Sequence, residues 1–588
     1  MLADLCIVTW RGEHMRISEV TIEKFRSIKK ATFRMSDITA VVGENNAGKT
    51  AVLRALNAVL NYKHEEESFI NKAHRYAPRN NTYITVVFED IPNKIIYENK
   101  IYDNKLAIKF SFSYADNKKK YILLKGRDSE NLDDSFMQEL SKDIMYVYIP
   151  AGRTNKDVRW SDNSIFKDLI TSYTAQYTVN RDMISGYVRK ATDKIHDTVL
   201  KKLEKEINEL YMQNKSMDFK IAFPENLDYT VLLRNIEFSL NEYGANYLLQ
   251  EWGSGTKSLA VIAMHRANAL LKNGSIVLGI EEPETNLHPQ AQKRFIMSLR
   301  QQLHSNETQS IFTTHSTVLV DELDHEAILL VRRVNDSSRG FISQINQLPA
   351  DFWTKYDIES FKHYQYFDYK NSEFFFSKYV VIAESKNDCQ ILEKLVASEV
   401  VEKIADVSFL DAGGVESIKY PFFLLKELQI PFSIVVDRDF FFPYINNNEL
   451  DASRNAVTGL PIYGDDVKDE AIINSLFNQE EKRQLTEHHK AGYRKFFDFI
   501  KEYGIVSMNY CLEMDLTCSS KAREEYYRLL NVMPDNKNQK FLLERNKKAI
   551  KDIKKIMEVM DGIPLMSYPE SYKKIRNYLI QKINENTN

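Results

Sequence analysis

At 588 residues the chain has room for about two to four domains, and 43% hydrophobic with 27% charged residues reads as a packed globular protein. No apolar run approaches the roughly 18 residues of a membrane span, and the start, with Asp4 and no basic residue before the apolar stretch, is unlike a secretory leader. Charge is near balance, 79 basic against 82 acidic side chains for a net −3, so any nucleic-acid contact must come from a local patch.

Residues 1–14 read as a loose extension, because regular patterning begins at Met15. Ile17, Val20, Ile22 and Phe25, then Phe33, Ile38, Ala40 and Val42, predict strands. Asn81–Phe88 and Lys105–Tyr114 predict two more by their β-branched and aromatic content, and Ile144–Ile149 predicts a buried strand stopped at Pro150. From about 160 to 235 the pattern turns helical. Ile195, Val199, Leu203, Ile207 and Leu210 recur at helical spacing, as one face of a globular insert or as a surface for a second subunit. Strands and helices then alternate to 345, an α/β signature. Residues 346–377 form an aromatic connector (Trp353, Tyr356, Phe361, Tyr364, Tyr366, Phe367, Phe374 to Phe376), expected to be packed between lobes. A second α/β unit begins at Lys378, and residues 531–588 read as a Lys-rich helical region. Cys6, Cys389, Cys511 and Cys518 show no paired spacing, which fits a reducing cytoplasm.

Two stretches carry chemistry in the first unit. Gly43-Glu44-Asn45-Asn46-Ala47-Gly48-Lys49-Thr50 fits the P-loop pattern and stands between a predicted strand and a predicted helix. Its glycines let backbone N–H groups wrap phosphates, Lys49 neutralises them, and the Thr50 hydroxyl is placed to bind Mg²⁺. Ser275–Gly279 continues through Ile280 into Glu281-Glu282-Pro283. An acidic pair after a strand is ordinarily a solvated turn; behind a P-loop it is the expected pair that holds Mg²⁺ (Glu281) and polarises the attacking water (Glu282).

The order P-loop, Trp252-Gly253-Ser254-Gly255 opening a helix, acidic strand, and then Ile311–Thr314 ending at His315 resembles the ABC ATPase superfamily. The resemblance implies that Ser254 and Gly255 touch the nucleotide of an opposite subunit and that His315 senses it in cis. A homodimer or higher symmetric oligomer follows, with the 160–235 helices as its contact. Glu281 in place of the usual Asp and Lys257 in place of the transporter Gln are departures, and no Gln loop is placed. The absence of a long heptad region argues against a chromosome-tethering protein.

In the second unit Glu384 ends a predicted strand, Asp388 opens a helix, Gly413-Gly414 follow the next strand, and Asp437-Arg438-Asp439 end a third. Ligands gather beyond the carboxyl ends of such strands, and clustered carboxylates need a hard cation, Mg²⁺ or Mn²⁺. The series resembles the Toprim fold, with Ser385 where Gly is usual. ABC ATPase followed by Toprim resembles the OLD (overcoming lysogenization defect) nuclease family, which includes the nuclease subunit of the Gabija anti-phage system and retron-associated effectors. The resemblance adds Glu513, in Leu512-Glu513-Met514-Asp515-Leu516, as a further metal ligand with Asp515 assisting. Lys521 reads as a surface lysine rather than a phosphate contact, and Cys389 as helix packing.

The expectation is therefore an α/β chain: ABC-type ATPase at 15–345, connector at 346–377, Toprim nuclease at 378–530 and a helical C-terminal region. It implies an ATP-regulated, metal-dependent DNA endonuclease, cytoplasmic and without membrane contact. The family implies anti-phage defence, with a companion protein or a reverse transcriptase–DNA complex as partner. Three rivals stand beside it: a repair-type ATPase with a degenerate Toprim domain, a strand-passage enzyme with a Tyr nucleophile, and a sensor that cuts nothing alone.

Overall fold

The computed structural model describes residues 14–587, apart from positions within 154–163, 176–177, 211–219, positions within 222–251, 272–273, 307, 359–371 and 447. The 1–14 extension and the aromatics Phe361, Tyr364, Tyr366 and Phe367 therefore fall almost wholly outside the described residues. The chain divides into two units, one of residues 1–323 with 331–345, the other of residues 324–330 with 346–588.

The first unit is built on a twelve-stranded sheet. In chain order its strands are β1 (Arg16–Phe25), β2 (Ile28–Arg34), β3 (Ile38–Gly43), β4 (Thr82–Glu89), β5 (Leu106–Ser113), β6 (Lys118–Lys125), β7 (Asp128–Leu132) and β8 (Ile144–Ile149). A small hairpin, β9 (Ser239–Glu242) with β10 (Ala245–Leu248), stands apart. The sheet resumes with β11 (Ser275–Glu281), β12 (Thr308–Thr314), β13 (Ile328–Asp336) and β14 (Gly340–Asn346), in the order β7-β6-β5-β4-β1-β2-β14-β13-β3-β12-β11-β8. The first part is antiparallel and alternates buried with half-buried positions, as in β4 and β5. The strands β3, β12, β11 and β8 pair in parallel. Of these, β3, β11 and β12 are buried at every residue, as strands covered on both faces must be. Ile17, Val20, Ile22, Phe25, Phe33, Ile38, Ala40 and Val42 all lie in this core. The hairpin β6–β7 is an addition to the sequence reading; the run Lys118-Lys119-Lys120 hides its alternation.

Among the described residues the insert carries helices Ile165–Ala175, Thr178–Ile195 and Lys201–Leu210, the second and third joined through a π-helical turn at His196–Leu200, and the short helix Thr230–Leu233. Ile195, Val199, Leu203 and Ile207 stand in one row and are 47%, 58%, 43% and 36% exposed. Among the described residues the stripe is therefore exposed; the side chain of Leu210, its last member, lies outside them.

The second unit carries a parallel four-stranded sheet in the order β16-β15-β17-β18, from β15 (Tyr379–Ala383), β16 (Val407–Asp411), β17 (Phe432–Val436) and β18 (Ile505–Ser507). Its core joins Tyr379, Val381, Leu392 and Val506 to Leu542, Val559, Ile575 and Ile583. The helices after residue 530 are thus packed onto the strands. Tyr578 and Tyr379 share the Ser433 hydroxyl at 2.8 and 2.5 Å, and Arg576 Nε donates to the Leu395 carbonyl at 3.1 Å. The described part of the connector also packs inside this unit: Phe374 and Phe375 are buried, and Trp353 stacks on Tyr420 at 5.4 Å.

Candidate functional site

The P-loop forms because its glycines sit where a side chain does not fit. Gly43 has φ +144°, and a Cβ there would lie 2.0 Å from the Val331 carbonyl oxygen. Gly48 has φ +108°, and its Cβ would meet Ser343 Oγ at 2.3 Å. Ser343 Oγ, braced by Ser27 Oγ at 2.6 Å, also hydrogen-bonds the Ala47 carbonyl, so β14 and the β1–β2 turn support the loop from below. Asn45 and Asn46 are exposed on its rim, and Lys49 and Thr50 open the helix Lys49–Leu60. Lys49 Nζ donates to the carbonyls of Gly43 (3.0 Å) and Glu44 (2.8 Å). Burial pulls its pKa down to about 8 against the opposing charges of Glu282, Glu284 and Glu44.

The acidic end of β11 faces this loop. Glu281 is 9% exposed; Oε2 accepts from the Ala151 N–H at 3.3 Å and Oε1 is buried without a partner. Glu282 has left-handed backbone, φ 41°, pinned by its N–H to the carbonyl and hydroxyl of Thr313 at 3.0 and 3.2 Å. His315 Nε2 stands 4.0 Å from Glu282 Oε1. Burial, then Lys49, lowers the pKa of its ring, so it is neutral at neutral pH. Glu284 joins them unforeseen: Oε1 accepts from the His315 N–H at 2.7 Å, Oε2 is buried and unpartnered, and burial raises its pKa. Buried carboxylate oxygens without partners fit a hydrated divalent cation carried in with a nucleotide. Ser254 is exposed in the first turn of helix Ser254–Leu270, while Gly255 lies against the chain after the acidic pair, where a Cβ would be 2.4 Å from the Asn286 carbonyl.

In the second unit the carboxyl ends of β15 and β17 bring the expected acids together. Glu384 Oε1 accepts from the Asp437 N–H at 2.9 Å, and the Gly414 N–H donates to the Glu384 carbonyl at 2.7 Å. That closure needs Gly413 and Gly414, with φ +73° and +122°. Ser385 replaces the usual glycine without strain. Its backbone is extended, and its hydroxyl caps the helix Lys386–Ala397 by accepting from the Asp388 N–H (3.3 Å) while donating to Asp388 Oδ2 (2.8 Å).

Burial first, and then neighbouring carboxylates, raise the pKa of Glu384, Asp388 and Asp437. Burial, then the charges of Asp439, Asp388 and Glu513, lifts Glu384 to about 7. Asp388 rises to about 6 through burial and Glu513, and Asp437 rises well above the carboxylate range through burial and Glu384. Among the described residues no group of three or more His, Cys, Asp or Glu side chains is arranged to hold a metal ion as it stands. The donor set, five carboxylates at one edge of a sheet, nevertheless has the all-oxygen chemistry a hard divalent ion selects.

Asp515 does not share in this cluster as a ligand. It is buried and accepts from the N–H groups of Asn509 (2.8 Å) and Tyr510 (2.9 Å), so it braces the turn that delivers Glu513. Lys521 pairs on the surface with Glu524 at 3.1 Å. A cation that faces the acids is Lys551, whose Nζ lies 3.4 Å from Glu513 Oε1. Sequence reasoning missed it because it is one lysine among many in a Lys-rich stretch.

Residues 15–320 match the family described as AAA ATPase domain, just over half the chain. Residues 375–439 match the Toprim domain of overcoming lysogenization defect protein-like chains. The chain belongs to the AAA ATPase domain family and carries an OLD-like Toprim domain. A P-loop ATPase followed by a Toprim domain is what the motif order implies. This ATPase–Toprim chain is 26% identical over 466 residues to the OLD nuclease of Thermus scotoductus, covering 72% of this chain and 82% of that one. It is 22% identical over 347 residues to the endonuclease GajA of Bacillus cereus strain VD045, covering 54% of this chain and 58% of GajA, less than two thirds of that relative's length. The SMC head domain of Thermotoga maritima aligns with 57% of the ATPase–Toprim chain at 16% identity and a TM-score of 0.31, too loose to add to the fold described above. No described helix is long and apolar enough to cross a membrane.

Proposed function

We infer that this protein is an ATP-controlled, divalent-metal-dependent DNA endonuclease. The observation that carries the reading is the acidic edge formed by Glu384, Asp388, Asp437, Asp439 and Glu513 with Lys551 set against it. Carboxylates buried and crowded together are poised to gain a counter-charge, and a lysine beside them suits a phosphodiester oxygen. Mg²⁺ or Mn²⁺ bound there would activate water and stabilise the leaving oxygen. The chain's own part is positional. The Asp437 N–H fixes Glu384, the Asp515 brace sets Glu513, and Lys551 orients the scissile phosphate.

In the first unit the P-loop N–H groups and Lys49 take the phosphates, and Thr50 and Glu281 hold the accompanying Mg²⁺. Glu282 orients the attacking water, and neutral His315 senses the γ-phosphate. Ser254 and Gly255 complete the site of a second copy, so the working form is a homodimer or larger symmetric assembly, joined through the Ile195–Ile207 stripe. The resemblance to the OLD family, with its Gabija and retron-associated members, extends this reading to anti-phage defence, with a companion protein or reverse transcriptase–DNA complex as restraint.

The test is purified protein on supercoiled and linear DNA with Mg²⁺ or Mn²⁺, with and without ATP, beside Asp437→Ala/Asp439→Ala. Nicked or linear product that disappears in the double variant is expected, and its rate must change with ATP. Product that persists in the variant, or none with either metal, overturns the reading.

A further inference from the structure

Past the end of β8 the chain crosses the carboxyl end of its neighbour. Strands β8 and β11 run parallel with Ile149 opposite Ile280, so Pro150-Ala151-Gly152-Arg153 passes beside Glu281 and Glu282. Arg153 ends that crossing with its guanidinium spread over two elements. Nη1 donates to Ser258 Oγ at 2.7 Å and to the Glu282 carbonyl at 3.4 Å, and Nη2 donates to the Glu281 carbonyl. One side chain thus ties the second turn of helix Ser254–Leu270 to the main chain of both acidic residues.

We propose that Arg153 is a positioning residue for ATP hydrolysis. It holds the Glu281–Glu282 turn in its working geometry and transmits to that turn any shift of the helix that begins at Ser254. The inference rests on the reading of the first unit as an ATP-hydrolysing site.

Three observations carry it. The first is the strain at Glu282, a non-glycine residue in left-handed backbone at φ 41°. Such a conformation persists only where its surroundings over-determine it. Thr313 pins its N–H side, and Arg153 holds its carbonyl side. The second is a further contact between the same elements: Gly255 rests so closely on the Asn286 carbonyl that a Cβ would stand at 2.4 Å. The helix start and the acidic segment therefore meet at two points, Ser258 through Arg153 and Gly255 against Asn286. The third is the shape of the donor. A planar fork serves a hydroxyl and two carbonyls at once, which a lysine ammonium cannot reproduce from one point. Burial draws the pKa of Arg153 down to about 10 against Glu284, Glu281 and Glu282, which leaves it charged at neutral pH.

The test uses the full chain as wild type, Arg153→Lys and Ser258→Ala, with a fluorescent ATP analogue for affinity, steady-state ATP turnover, and hydrogen exchange of helix Ser254–Leu270 with and without a non-hydrolysable ATP analogue. Arg153→Lys is expected to bind nucleotide within about twofold of wild type while kcat falls on the order of 10- to 100-fold and KM holds. Nucleotide-induced protection of the helix should disappear with it, and Ser258→Ala should lose part of both effects. Wild-type turnover in Arg153→Lys overturns the proposal. So does a loss of affinity that matches the loss of rate, or a lower melting temperature without nucleotide, since those mark a merely structural role. A wild type that binds ATP without turning it over overturns the hydrolysis reading instead; the exchange comparison then decides the coupling alone.

Discussion

Glu384 and Asp437 are joined by a backbone hydrogen bond yet oppose each other as charges. A carboxyl whose folded pKa lies above its unfolded value binds more protons when folded, so its contribution to stability falls as pH rises between the two. With Asp388 near 6 and Glu384 near 7, the window runs from the ordinary carboxylate range up to about pH 7. In EDTA at pH 8, Glu384→Gln is expected to be more stable than wild type by on the order of 1–2 kcal/mol, because it removes a buried charge from a crowded set. At pH 5 the difference should close. Thermal melts at the two pH values check this, and an equal gain at both would mean that repulsion at Glu384 is not what destabilises the site. Added Mn²⁺ should reverse the order at pH 8, since the wild type regains its counter-charge.

At the scale of elements, the P-loop depends on a glycine pressed against β13. Gly43→Ala places a Cβ 2.0 Å from the Val331 carbonyl oxygen, backbone against backbone, and neither partner can swing away. The variant is expected to lose nucleotide affinity by on the order of 100-fold or more in a fluorescent-ATP titration while keeping its far-ultraviolet circular dichroism. Retained affinity would mean that the loop does not need this close approach. Both the glycine and the loop were legible in the sequence because the whole device lies within eight positions of one strand–helix junction. Glu384, Asp437 and Asp439 were legible for a related reason: each follows a buried strand, and parallel strands place their carboxyl ends on one edge. Arg153 and Lys551 were not. Arg153 lies four residues past a strand with no periodicity to mark it, and only the pairing of β8 with β11 carries it to Glu282. Lys551 is set apart from its neighbours solely by the fold. The strand β6 was hidden by its lysines, because Lys119 stands on the same face as Tyr121 and Leu123 and sets its ammonium over the rings of Tyr62 and Tyr121.

At the scale of the whole molecule, the row Ile195, Val199, Leu203 and Ile207 leaves an apolar helix face open among the described residues. If a second copy covers it, Val199→Glu/Leu203→Glu should lower the solution mass measured by light scattering at micromolar concentration without changing helix content. A wild type that stays monomeric with ATP present would count against the assembly. The sequence showed that stripe but not what it meets, since periodicity reports that a face is apolar and says nothing of its partner. The same limit explains why residues 531–588 read as a separate region, whereas Leu542, Val559, Ile575 and Ile583 complete the core around β15. That packing sets an order of birth. During synthesis, domains fold as units from the N-terminal side. The P-loop unit closes on itself with β14, whereas β15 must wait for the helix Glu570–Thr587 to emerge before Tyr379 and Ser433 find Tyr578. A nascent chain would therefore complete the sheet that carries its P-loop before the Toprim sheet has the helices that fill its core.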